Sequence, residues 1–113
     1  MPSATYAIFR NAILAERQVV CTYEQRRREV CPLVLGLNKD GQEAVLAWQF
    51  GGEVSTGMLA KGGAWKCFRL AKVRDASSRA GPWYEGGSHA KAQTCVTDVD
   101  LDIAIHVRKR RPP

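Results

Sequence analysis

The spacing of apolar residues changes once near the start of the chain, at Gln18. Before that point Tyr6, Phe9 and Ile13, with Ala12 and Leu14 beside them, recur at helical intervals. They predict an amphipathic helix over residues 5–17, with Ser3 as its N-cap. After it, Val19, Cys21 and Tyr23 alternate with Gln18, Val20 and Thr22, the period of a strand. A polar turn around Gln25 leads to a second apolar run at 29–37. Pro32 inside that run cannot donate a ladder hydrogen bond, so an edge or a bulge is expected there. Asn38-Lys39-Asp40-Gly41 has the residues of a turn. Further runs at 43–50 and 64–74 predict a third and a fourth strand, joined by a glycine-rich loop. Residues 75–94 are polar and read as a surface excursion pinned at its middle by Trp83-Tyr84. The alternation at 97–107 predicts one last half-buried strand, with Val99, Leu101, Ile103, Ile105 and Val107 on its dry side. One helix and about five short consecutive strands make a mainly β (α+β) chain, and such strands close most readily into a small antiparallel barrel.

The length of 113 residues allows one modest core, and no apolar run approaches the ~20 residues of a membrane span. The N-terminus lacks the basic and apolar regions of a secretory signal, so a cytoplasmic address is expected. The cysteines Cys21, Cys31, Cys67 and Cys95 form no Cys-x-x-Cys pair, and His89 and His106 are isolated, so no metal site is expected. In that compartment all four would be reduced thiols, serving as small buried apolar side chains. A tight turn at Gln25 would bring Cys21 and Cys31 opposite each other.

The net charge is +6, of which Arg108, Lys109, Arg110 and Arg111 supply four, leaving +2 for the body of the domain, residues 1–107. Together with Arg26-Arg27-Arg28 they favour anionic partners. The tail at 108–113 is expected to be disordered and to contribute nucleic-acid affinity without specificity. Asp98-x-Asp100-x-Asp102 fails as a calcium loop, because Ile103 replaces the required glycine. There is no nucleophile elbow and no phosphate-cradling loop, and no cofactor or enzymatic activity is expected.

The most informative pattern is Leu46-Ala47-Trp48-Gln49, the glycine-rich loop, and Trp65-Lys66-Cys67-Phe68-Arg69-Leu70. Trp65 and Phe68 have opposite parity on a strand, so both cannot face the core. Tryptophan beside Gln and Arg suits planar, anionic ligands. The expected ligand surface is Trp48, Gln49, Trp65, Lys66 and Arg69, with Tyr23 and Arg28 at its rim.

The order of these features resembles the WYL-domain family, in particular its short stand-alone bacterial members. Over residues 10–74 the counterparts are Ala12-Ile13-Leu14-Ala15-Glu16-Arg17, Tyr23, the basic turn Arg26-Arg27-Arg28, Arg28-Glu29-Val30-Cys31-Pro32, Gly41, Leu46-Ala47-Trp48-Gln49 and Trp65-Lys66-Cys67-Phe68-Arg69-Leu70. The chain departs from the pattern at Glu43-Ala44-Val45, the place of the namesake tripeptide, and at Cys31 and Leu33. The resemblance implies a small Sm-like or SH3-like barrel that acts as a regulatory module for single-stranded nucleic acid or another nucleotide-like anionic ligand. The alternative expectation is a protein-interaction subunit or homodimer, docking through the barrel edge and the aromatic face.

Overall fold

The computed structural model describes residues 2–53, 63–84 and 93–107. Helix α1 (Ala4–Ala15) begins where expected: Ser3 Oγ accepts from the Tyr6 N–H, a cap contributing about 1 kcal/mol. The same hydroxyl, and the Ser3 N–H, donate to the Glu43 carboxylate at 2.6 and 3.0 Å, which fastens the helix start to the sheet. The helix stops two residues earlier than the periodicity predicts. Glu16 takes a left-handed conformation, φ 52, and the N–H groups of Glu16 and Arg17 turn back to the carbonyls of Ile13 and Ala12. Tyr6, Phe9, Ala12 and Ile13 are buried. Phe9 and Ile13 each contribute about 2–3 kcal/mol of apolar transfer.

The strands are β1 (Gln18–Tyr23), β2 (Arg26–Leu37), β3 (Glu43–Gly52), β4 (Ala64–Arg69), β5 (Val73–Arg79) and β6 (Asp98–Asp102). All pairings are antiparallel, in the order β4-β3-β2-β1-β5, with β6 also paired to β2. The first half of β2 pairs with β1 and its second half with β6, while β3 follows it on the other side. Pro32 lies between the β1-paired and β6-paired stretches, beside a register shift at Pro32/Val34, as its missing N–H predicts.

Turn chemistry explains two of the connections. Glu24 and Gln25 both have positive φ (51 and 65) between the paired residues Tyr23 and Arg26, the two-residue loop whose twist suits a hairpin. Asn38 Oδ1 accepts from the N–H groups of Asp40 and Gln42, closing the β2–β3 turn.

Several expectations are corrected. The run at 64–74 is two strands, not one. Leu70 and Val73 are both buried three residues apart, and a 3₁₀ helix (Leu70–Lys72) between β4 and β5 satisfies both. The supposed surface excursion begins late, because β5 continues to Arg79 with Ser77 and Ser78 exposed. The last strand ends at Asp102 and gives way to a π-helical turn (Ile103–Val107). There the Asp102 N–H donates to His106 Nδ1 and the Asp102 carboxylate accepts from the Ala104 N–H. Leu101 and Ile103 are buried, but Val99 is exposed beyond a register shift at Leu35/Gly36 that breaks the alternation, and Ile105 is exposed in the π-helical turn. Gly36 permits that contact: a Cβ there would stand 2.1 Å from the Asp98 carbonyl oxygen. Trp83 does pack against the core, while Tyr84 is exposed and meets Phe50, ring centroids 4.9 Å apart.

The chain is therefore mainly β, with six antiparallel strands in one sheet and an N-terminal helix among the described residues. Among the described residues the sheet is not closed, since no pairing joins β4 to β5. No described helix is long and apolar enough to cross a membrane. The cysteine expectations are also corrected. Cys67 and Cys95 form a disulfide, and Cys21 lies opposite Arg28 rather than Cys31. Cys21 and Cys31 are buried and take no part in a disulfide.

Candidate ligand face and the buried arginine beneath it

Arg28 comes from the basic run at the hairpin, yet it is 3% exposed. The two-residue turn sets its register against Cys21, and alternation then places it on the inward face with Cys21 and Tyr23. Its Nη2 donates to the Tyr23 carbonyl at 3.2 Å and its Nη1 to Gln49 Oε1 at 3.3 Å. The guanidinium carbon lies 5.7 Å from the ring centroids of both Tyr23 and Phe68, whose π-faces attract the cation. Glu24, itself exposed, approaches Nη2 at 3.7 Å. Among the described residues Arg28 Nε finds no hydrogen-bond partner.

Gln49 is wholly buried and oriented by its amide, whose Nε2 donates to the carbonyls of Gly51 and Glu53 at 2.9 Å each. That leaves Oε1 free to face the arginine. Tyr23 is also buried, and its hydroxyl accepts from the Arg69 N–H at 3.3 Å. Burial pushes the nearby Cys21 thiol up to about 11, against the opposing pull of Arg28, so Cys21 is protonated at neutral pH. Burial likewise raises the Tyr6 phenol far above its usual range, helped by its hydrogen bond to Asp100.

The opposite face of β3 and β4 is different. Trp48 and Trp65 are paired across the two strands, ring centroids 5.1 Å apart and planes at 78°, both half-buried. Gly63 (φ 113) lets the backbone lie against the Trp48 indole, where a Cβ would stand 2.6 Å from Nε1. Two and four residues beyond Trp65, Cys67 and Arg69 point to the same side and are exposed. Arg69, Lys39, Asp40, Tyr23 and the Cys67–Cys95 bridge line an open groove of about 350 Å³.

Of the seven expected ligand residues, Trp48, Trp65 and Arg69 thus share one face. Tyr23, Arg28 and Gln49 meet beneath it in a buried cluster. Lys66, opposite Ala47, is half-buried and shares parity with that cluster. Tyr23 belongs to both, its ring inside and its edge at the groove. Arg108, Lys109, Arg110 and Arg111 lie outside the described residues, as does most of the glycine-rich loop.

Sequence reasoning missed two contributors to the groove. Lys39 reads as a turn residue, and only the β2–β3 register carries it beside Arg69. Cys95 lies 28 residues from Cys67, with no spacing signal between them. Also missed is a row across three strands, where half-buried Thr22 pairs with exposed Arg27 on one side and exposed Arg74 on the other. No group of three or more His, Cys, Asp or Glu able to hold a metal occurs among the described residues.

The chain matches no protein-family model, no curated protein and no solved structure.

Proposed function

We propose that this chain is a cytoplasmic, non-enzymatic binding module of the WYL-like, small-barrel kind, whose ligand is a single-stranded nucleic acid or a nucleotide-like anion. The observation that carries the reading is the shared face of Trp48, Trp65 and Arg69, continuous with the groove that Lys39 lines. Bases stack on the half-buried indoles, a contact worth about 1–3 kcal/mol per base. Four residues of strand separate Trp65 from Arg69, about 13 Å, so stacking and phosphate contacts fall on different parts of one extended ligand. The Tyr23–Arg28–Gln49 cluster positions the two strands from below and adds positive charge under the sheet. The small-barrel assignment draws support from the strand order, because its two end strands, β4 and β5, are joined by a single 3₁₀ helix of three residues.

Fluorescence titration with an oligothymidylate tests this reading. Tryptophan emission should change on binding, and log affinity should fall with log salt at about −0.7 per phosphate neutralised. Binding without either response would overturn it.

A protein-interaction role draws on a separate observation, the exposure of Val99 (40%) and Ile105 (53%). Single exposed apolar residues are common on soluble proteins, which makes this the weaker reading. A concentration-dependent dimer in sedimentation, lost in Ile105→Asp, would favour it instead.

A further inference from the structure

Cys67 stands midway between Trp65 and Arg69 on the face of β4 described above, and it is exposed. Its bond to Cys95 ties an end strand of the sheet to the segment that leads into β6. That segment has other anchors. Val96 is buried against Gly36, and its N–H and carbonyl are both taken by the Gln93 side chain. The Thr97 N–H donates to the Leu37 carbonyl. These ties do not pass through the disulfide.

The reduced state is also provided for. Cys95 Sγ lies 3.4 Å from the Val45 carbonyl oxygen. A disulfide sulfur has no hydrogen to offer that oxygen, whereas a thiol does. Reduced Cys95 therefore finds an acceptor where it already stands. The surroundings of Cys67 favour exchange, because Lys39 and Arg69 outweigh Asp40 along the groove. Positive charge attracts an anionic thiol and stabilises a thiolate. In the cytoplasm, where the function proposed above places this chain, disulfides are more often transient and redox-sensing than structural.

We propose that Cys67–Cys95 is a reversible redox latch on the groove, opened by a small anionic thiol of the glutathione class that attacks Cys67 Sγ. The attacking thiolate forms a mixed disulfide with Cys67 and expels Cys95 as a thiolate, which takes a proton from water and, as a thiol, donates a hydrogen bond to the Val45 carbonyl. A second thiolate attacks the sulfur of the bound thiol, releases Cys67 as a thiolate and leaves the two small thiols joined as a disulfide. Two electrons pass from the two small thiols to the protein. Opening frees the Cys95 wall of the groove from β4. The consequence for affinity rests on the function proposed above: the open form holds its anionic ligand more weakly.

The test poises the intact protein in mixtures of reduced and oxidised glutathione. Alkylation and mass spectrometry report the redox state, far-UV circular dichroism reports the sheet, and anisotropy reports binding of an oligothymidylate. Reduction is expected to leave the dichroism unchanged, to pass through a glutathione adduct on Cys67, and to weaken oligonucleotide binding at least fivefold. The double variant Cys67→Ser/Cys95→Ser should match the reduced protein and lose all redox response. Loss of sheet signal in step with reduction would show a structural staple and overturn the latch, as would an adduct on Cys95 or equal affinity in both redox states. Should neither redox form bind the oligonucleotide, the binding proposal fails on its own. The latch is then decided by amide hydrogen exchange at residues 38–41, 67–69 and 93–96. Faster exchange there on reduction upholds it, and unchanged exchange overturns it.

Discussion

Trp48 and Gln49 are neighbours in sequence and opposites in environment. Gln49 points inward, fully buried, and completes the hydrogen bonding of a buried arginine. Trp48 points outward, half-buried beside Trp65, on the side that carries exposed Arg69. The same contrast separates Arg28 from Arg69, one sealed between two aromatic rings and the other lining an open groove. Residue type alone does not assign these roles. Strand parity and register do, and two arginines with the same chemistry become a structural member and a candidate ligand contact.

The largest expected effect comes from breaking the inner region. Arg28→Ala removes a donor from the Tyr23 carbonyl and the donor to buried Gln49 Oε1, the latter loss costing about 1–3 kcal/mol, and leaves a cavity between Tyr23 and Phe68. A loss of about 3–5 kcal/mol should appear in urea unfolding, and Arg28→Met, which keeps most of the volume, should lose less. If Arg28→Ala instead keeps full stability while ligand affinity collapses, the two regions have been assigned the wrong way round.

The outer region should show the reverse. Trp65→Leu retains apolar volume but removes the stacking surface, so affinity for an oligothymidylate should fall about tenfold, in line with ~1–3 kcal/mol per stacked base. Unfolding midpoints should move much less than for Arg28→Ala. Wild-type affinity in Trp65→Leu would leave the aromatic face without a role in binding.

Much of the fold was legible in the sequence where local chemistry is decisive. The change of period at Gln18, the Asn38–Gly41 turn and the bulge at Pro32 each follow from a few neighbouring residues. The burial of Arg28 was not legible, because a run of three arginines beside a turn looks solvated. Only a two-residue hairpin with left-handed Glu24 and Gln25 fixes its inward register. The split of residues 64–74 was equally hidden, since the run reads as one apolar stretch, and only the burial of both Leu70 and Val73, which have opposite strand parity, reveals the 3₁₀ turn between two strands. At the candidate site, the pairing of Trp48 with Trp65 could be anticipated from two short runs around one loop. Lys39 and Cys95 could not, because nothing in their local sequence connects them to β4.

A smaller, pH-dependent effect sharpens the inner side of the comparison. Burial raises the Cys21 thiol from 9.0 to about 11, so the folded state holds this proton more tightly than the unfolded chain. That contribution is fully present below pH 9 and disappears as pH rises through 11. The urea midpoint should fall over this interval, and Cys21→Ala should lose that part of the pH dependence. No difference between the two proteins above pH 9 would mean that the thiol is not sequestered by the fold.

The smallest change concerns the basic tail. Deleting residues 108–113 should flatten the salt slope of oligonucleotide binding by up to roughly 3 units while leaving preference among sequences unchanged. Lost preference would move recognition from the aromatic face to the tail.

The central claim is that the ligand lies on the Trp48–Trp65–Arg69 face and not against the cluster beneath it. Photo-crosslinking with a bromouridine-substituted oligonucleotide, followed by peptide mass spectrometry, tests it directly. The account predicts adducts on Trp48 or Trp65 that disappear in Arg69→Ala at moderate salt. Adducts confined to α1, β6 or the π-helical turn, with none on either tryptophan, would contradict it.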